Sequence, residues 1–260
     1  MLTGMELVPA GLCSITYRQL DAAAVLTAAS GAGLEVIEWG SDVHAPPGDP
    51  AALRNLRART EDAGLTVCSY GTYWEAGVSR DAEVAPLVDA AVALGAPRIR
   101  VWAGVRSSRR TGAEERAAIT AALRRAAAVA SAQDVGLALE YHDGSLTDTT
   151  ASTLRLLDEI GHERATTYWQ VPHGAGDDDA IASLEPLLPR LSAVHAFAWS
   201  ADGRRFPLST RAALWARVAD LLRRQGRRIE TLLEFVPDDD PAVLAREASA
   251  LRTALGAADA

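Results

Sequence analysis

The stretch GLALEYHDGS, residues 136 to 145, begins as an apolar strand and then sets Glu140 and His142 on one side. Three later apolar runs carry polar residues in the same way: TTYWQ ends in Gln170, AVHAF holds His195 and TLLEF holds Glu234. Two carboxylates, an imidazole and an amide oxygen make a ligand set of mixed hardness, suited to one divalent ion, Mn²⁺ first, with Mg²⁺, Co²⁺ or Zn²⁺ as alternatives. Each residue alone has a plainer role. Glu140 or Glu234 could neutralise Arg100, which shares strand parity with Trp102 and could point inward. His195 could be a hydrogen-bonded core histidine, and Gln170 a polar residue beside a loop. The grouping at four successive strand ends carries the metal reading.

Other polar and aromatic residues fit a sugar pocket around such an ion. Glu38 closes the run LEVIE, and His44 lies in the loop after it. His142 has the parity of Glu140 and would reach a substrate. Trp39, Trp74, Trp102, Trp169 and Trp199 all fall at or just beyond strand ends, where a flat ring can cover a sugar face or simply pack. Arg204 and Arg205, in SADGRRFP, could clamp a phosphate or carboxylate.

These residues need a scaffold that brings strand ends together. Short β-type runs at 11–15, 34–38, 65–70, 97–102, 136–140, 166–170, 191–197 and 229–235 alternate with helical runs. Helix ends are readable: Asp49-Pro50 starts one helix that Gly64 closes, and Asp240-Pro241 starts the last, with Gly256 as its stop. Thr111 and Glu114 have capping-box spacing before a helix over 112–133. Eight strand–helix units without a linker predict an α/β fold, a (β/α)8 TIM barrel formed as one domain by residues 1–260. An open nucleotide-binding sheet would place a glycine-rich turn after its first strand, and TYRQLD has no glycine there. The C-terminal ends of barrel strands form one face, so Glu140, Gln170, His195 and Glu234 would converge.

Composition narrows the chemistry. The 260 residues are 48% hydrophobic with a formal net charge of −8, which supports a sizeable core and disfavours nucleic acid as a partner. All 26 basic residues are arginine, so a lysine Schiff base is excluded. Cys13 and Cys68 sit in apolar runs and read as buried free thiols. The start MLTGMELVPAG has no signal-peptide pattern and no ~18-residue apolar run occurs, so a cytoplasmic protein without a membrane partner is expected. A homo-oligomer is compatible with the sequence.

From GLEVIEWGSDVHAPPGD through GLTVCSYGTYW, LEYHDGSLTDT and VHAFAW to LLEFVPDD, the chain resembles the xylose-isomerase-like barrels, in particular the sugar phosphate isomerases and epimerases. The resemblance implies one divalent metal held by Glu, Asp, His and Glu from strands five to eight. Glu140, His195 and Glu234 match; the aspartate position reads Gln170. His173 matches a histidine that the family often keeps near the substrate. The implied reaction on a carbohydrate is proton abstraction beside a carbonyl through a metal-stabilised enediolate, with Glu140 and Glu234 moving the proton. The same site could instead expel a β-substituent, as a lyase or dehydratase acting on a keto-sugar or keto-glycoside does, or bind sugar without catalysis. An endonuclease IV-type nuclease shares the barrel but wants more metal ligands and a basic groove, against five histidines and the net charge of −8.

Overall fold

The structure, a computed structural model, describes residues 7–256. Residues 1–6, part of the N-terminal stretch read as free of a signal peptide, and residues 257–260 lie outside the described residues.

Eight parallel strands close on themselves in sequence order, β1 (Ala10–Cys13), β2 (Val36–Gly40), β3 (Thr66–Glu75), β4 (Arg98–Trp102), β5 (Gly136–Leu139), β6 (Ala165–Trp169), β7 (Leu191–Ala196) and β8 (Glu230–Leu233). β8 pairs back with β1, Gly11 opposite Leu232. The outer helices are α1 (Ala22–Gly31), α2 (Pro50–Asp62), α3 (Val84–Leu94), α4 (Ala113–Ser131), α5 (Thr150–Ile160), α6 (Asp177–Leu184), α7 (Ala212–Arg223) and α8 (Leu244–Leu255). This is the (β/α)8 barrel that the alternation of elements predicts.

Strand alternation divides the core in two. Leu12, Ile37, Ile99, Val101, Leu137, Leu139, Val194 and Leu233 point outward into the apolar layer beneath the helices. Val36, Cys68, Ala138, Tyr168, Ala193 and Leu232 form a separate cluster inside the barrel. Both cysteines are buried and free. A polar column crosses the inner cluster: Arg98 pairs with Glu230 and donates from Nε to Tyr168 Oη (3.2 Å), which in turn donates to Glu38 Oε2 (2.8 Å).

The inner layer has no spare room at Gly11. A Cβ there would stand 2.4 Å from Val36 Cγ2, 2.5 Å from the Val36 carbonyl oxygen and 2.7 Å from Leu232 Cδ2. The carbonyl belongs to the neighbouring strand and cannot yield without disturbing the β1–β2 ladder. Gly11→Ala is therefore expected to cost about 1–3 kcal/mol in chemical denaturation; an unchanged midpoint would show that the barrel opens there freely.

Several boundaries differ from those the sequence suggests. Asp49 caps α2 as expected, its Oδ1 accepting from the amides of Ala51 and Ala52 at 3.0 Å each. Asp240 caps a single 3-10 turn, Pro241–Val243, that leads into α8, and Gly256 ends that helix at φ +74°. The Thr111–Glu114 capping box does not form. Gly112 is the N-cap, and the Thr111 hydroxyl turns back to donate to the carbonyls of Ser107 (3.1 Å) and Arg106 (3.3 Å). Thr111 stands one residue too early, and the preceding 3-10 turn satisfies its hydroxyl. β3 runs on to Glu75 instead of ending at 70, which carries Tyr73 to the barrel rim. No helix among the described residues is long and apolar enough to cross a membrane.

Candidate active site

Inward parity on six of the eight strands delivers a polar side chain to the C-terminal end of the barrel. Glu38 comes from β2 and Arg100 from β4. Glu140 follows β5, Gln170 follows β6, His195 is on β7 and Glu234 follows β8. Glu140, Gln170 and Glu234 each lie one residue beyond their strands. The sheet still holds two of them: the Glu140 amide donates to the Val101 carbonyl (3.1 Å) and the Glu234 amide to that of Ala196 (3.2 Å). All six side chains are buried.

A cavity of about 170 Å³ opens above them. It is smaller than the ~300–1,000 Å³ of pockets that take drug-sized ligands, and so suits a compact molecule. Of the residues expected to hold ligand or metal, Trp102, Glu140, His142, Gln170, His173 and Glu234 line it. His195 and Glu38, both fully buried, lie outside its lining. A wider groove of about 500 Å³ lies on the other side of Tyr73, but its lining gathers no comparable set of converging polar groups.

Three expected substrate contacts, Glu38, His44 and Arg204, are not brought to the cavity, and Glu38 is buried beneath it as a partner of Arg100. His44 is buried against Trp39, with Nδ1 3.1 Å from Ser14 Oγ and Nε2 3.1 Å from the Leu20 carbonyl. Both its ring nitrogens are occupied by the loop it braces. Arg204 is exposed, and its guanidinium lies over Phe206. Arg205 instead pairs with Asp239 and covers Phe235 and Trp199, two aromatic walls of the cavity. The tryptophans divide by role. Trp102 and Trp199 line the cavity, whereas Trp39, Trp74 and Trp169 donate their indole N–H groups to Thr60 Oγ1, the Arg80 carbonyl and Ser183 Oγ.

Arg100 dominates the electrostatics. Its Nε donates to Glu38 Oε1 at 3.0 Å and its Nη1 to Glu140 Oε2, while Nη2 has no acceptor. The sequence already marks Arg100 by its parity with Trp102, but only as a neutralising partner and not as part of the cavity wall. Burial alone would disfavour the charge on Glu38; Arg100, then His195, outweigh it and hold the carboxyl well below the usual range. His195 Nδ1 lies 3.2 Å from Glu234 Oε2, and its Nε2 lies 3.7 Å from Glu38 Oε1. Burial works against the imidazolium, but the charge of Glu234 and the contacts with Glu234 and Glu38 prevail and raise the ring to about 10. Burial also opposes ionisation of Glu234, and His195 reverses that and lowers its pKa.

The donor set fits a divalent cation. Among the described residues Gln170 Oε1 is buried without a hydrogen-bond partner, which is costly unless something else binds it, and the ring nitrogens of His195 face carboxylate oxygens without an aligned hydrogen bond. The ligand atoms of Cys13, His195 and Glu234 lie within 4.8 Å of one another. Cys13 was missed as a neighbour of this centre; its place at the end of the first strand was the available signal. Its thiol donates to Glu38 Oε1 (3.2 Å) and is pushed up by burial and then by Glu38. Glu140 keeps one oxygen free of Arg100 for a ligand role.

Histidines border the cavity mouth. His142 packs against Trp102 with ring centroids 4.3 Å apart and planes tilted by 48°, and His173 Nδ1 lies 3.2 Å from Asp143 Oδ2.

A closed eight-stranded parallel barrel with converging acid, amide and imidazole groups defines a class, and the sequence agrees with it. The chain belongs to the xylose isomerase-like TIM barrel family, whose family model matches residues 26–254. Among solved structures it is similar to the probable 3-DHS dehydratase AsbF of Bacillus anthracis, involved in petrobactin synthesis, at 21% identity and a TM-score of 0.79, over 94% of this chain and 98% of that one. It is similar to a D-psicose 3-epimerase with D-tagatose from Clostridium cellulolyticum H10 at 14% identity and a TM-score of 0.71, over 95% and 99%. A xylose isomerase-like TIM barrel protein from Mycobacterium smegmatis, in complex with magnesium, matches at 14% identity and a TM-score of 0.73, over 96% and 97%. No curated protein sequence matches the chain.

Proposed function

We propose that the protein is a divalent-metal-dependent isomerase or epimerase of a ketose or ketose derivative. The observation that carries this reading is the convergence of Glu140, Gln170 and Glu234 on one small cavity, with Gln170 Oε1 buried without a hydrogen-bond partner and His195 directly beneath, 3.2 Å from Glu234. Glu140, Gln170, His195 and Glu234 would hold the ion, Mn²⁺ first among the candidates. When bound, it supplies electrophilic stabilisation of charge developing on a substrate carbonyl oxygen.

The chain's own groups do the rest. Glu234 and Glu140 enter from β8 and β5, well separated around the barrel, so they can exchange a proton with two faces of one carbon. Trp102, Trp199 and Phe235 wall the cavity and would keep water away from the reacting carbon. His142 and His173 line the cavity and would receive substrate hydroxyls at its mouth. Incubating ketoses with the Mn²⁺-loaded protein in deuterium oxide tests the reading: deuterium at the carbon beside the carbonyl, with an isomeric or epimeric product, is expected. No exchange across a panel of ketoses and their phosphates would refute it.

Elimination is the second reading. It is favoured by His173, whose contact with the Asp143 carboxylate orients the ring as an acid or base at the cavity mouth. The similarity to a probable dehydratase supports the same alternative. Product formation with loss of water, followed by NMR, separates the two.

The neutral amide at position 170 gives a direct test of the ligand set. With Glu140 and Glu234 ionised and Gln170 neutral, the ligands balance the charge of a divalent ion. An aspartate would add an anionic oxygen. Gln170→Asp is expected to tighten Mn²⁺ binding by about tenfold or more, at least ~1.4 kcal/mol by titration calorimetry. Equal or weaker affinity would remove Gln170 from the ligands.

A further inference from the structure

We propose that Glu38 is the positioning residue for both proton carriers, holding Glu140 through Arg100 and Glu234 through His195. The inference rests on the isomerase reading for the roles of Glu140 and Glu234, and on geometry alone for the two arms.

Glu38 cannot meet the substrate itself, because it is fully buried and outside the cavity lining. Its carboxylate is instead a point of convergence. Oε1 accepts from Arg100 Nε (3.0 Å) and Cys13 Sγ (3.2 Å) and lies 3.7 Å from His195 Nε2, while Oε2 accepts from Tyr168 Oη (2.8 Å). Two of these neighbours are flat, two-edged groups. The guanidinium turns one edge to Glu38 and sends Nη1 to Glu140. The imidazole turns Nε2 to Glu38 and leaves Nδ1 3.2 Å from Glu234. The guanidinium is held at one edge by a hydrogen bond, which orients its other edge. The imidazole faces Glu38 across an ion-pair distance too long for a hydrogen bond. A single carboxylate on β2 thus acts on one group by contact and on the other by charge.

An independent feature shows that the chain reserves space for this arrangement. Gly71 on β3 has an ordinary strand backbone, yet a Cβ there would stand 2.8 Å from Arg100 Nη2 and 2.9 Å from Glu38 Oε1. The glycine is needed for room and not for its backbone freedom. A side chain at that position would drive the pair apart.

The test is Glu38→Gln in the full chain, a change of charge with nearly the same shape. The crystal structure is expected to show the Arg100 guanidinium and the His195 ring displaced from Glu140 and Glu234. Mn²⁺ affinity, read by calorimetry, is expected to weaken by about 10–100-fold. kcat is expected to fall with KM changed by no more than about twofold, because Glu38 does not touch the cavity. Tyr168→Phe removes a Glu38 contact that belongs to neither arm, and is expected to leave Mn²⁺ affinity within about twofold of the parent, unlike a variant that merely loosens the barrel. Should Glu38→Gln fail to fold, Gly71→Ala crowds the same pair without removing a charge and is expected to weaken Mn²⁺ binding in the same direction. Parent-like Mn²⁺ affinity together with unmoved Arg100 and His195 in the variant that folds would overturn the proposal. If the parent itself takes no Mn²⁺, the isomerase reading fails, and the positions of Arg100 and His195 in the variant still decide this one.

Discussion

Glu140→Gln and Glu234→Gln are each expected to slow proton exchange between a ketose substrate and solvent by about 10²–10⁴-fold, the usual worth of a positioned acid or base. Glutamine keeps the shape and the ability to coordinate through oxygen but cannot carry a proton, so the loss should fall on kcat. The two variants should differ in their structural side effects. In Glu140→Gln, Arg100 loses one of its two anionic partners while keeping Glu38. In Glu234→Gln, His195 loses the nearer of its two carboxylates and the larger source of its raised pKa. Solvent-deuterium exchange on the Mn²⁺-loaded variants reads the effect. Exchange at the parent rate in either variant would take that carboxylate out of the proton pathway.

Arg100→Met is expected to destabilise the metal-free protein by about 3–5 kcal/mol, the cost of removing one partner from a buried ion pair. Methionine fills much of the volume, so the loss is one of charge more than of packing. Arg100 is 1% exposed and its partners Glu38 and Glu140 are 0% and 4% exposed, so water cannot take its place. Chemical denaturation of parent and variant measures the difference. A loss below about 1 kcal/mol would mean that the freed carboxylates find other compensation within the barrel.

The barrel was legible in the sequence because its signals are local: apolar runs of strand length, Asp-Pro starts and glycine stops. Gln170, His195 and Glu234 could be proposed for the same reason, since each ends a strand and strand ends share a face. What stayed hidden depended on distance across the barrel. Arg100 reads as an inward basic residue, but nothing in RIRVW says that its guanidinium reaches both β2 and the end of β5. Glu38 and His44 looked alike in sequence, both polar and both near the end of the second strand. One becomes the acceptor at the centre of the barrel, and the other braces a loop through Ser14 and Leu20. Likewise Arg204 and Arg205 are adjacent, yet only Arg205 turns over the aromatic wall. Side-chain direction beyond a strand end has no periodicity to read.

The column of charge from Glu230 through Arg98, Tyr168 and Glu38 to Arg100 bears on how the barrel avoids closing wrongly. Apolar strands tolerate sliding, because one aliphatic side chain resembles the next. A slip of one residue in β4 would turn Arg98 and Arg100 out into the helix layer, leaving Glu140 without its cation and depriving Glu38 and Glu230 of one each. Misaligned closures would thus strand several ions at once, each at a cost of several kcal/mol. The column serves as a key that accepts one alignment of β2, β4, β6 and β8, and it ties the order of the barrel's far end to the geometry of its chemistry.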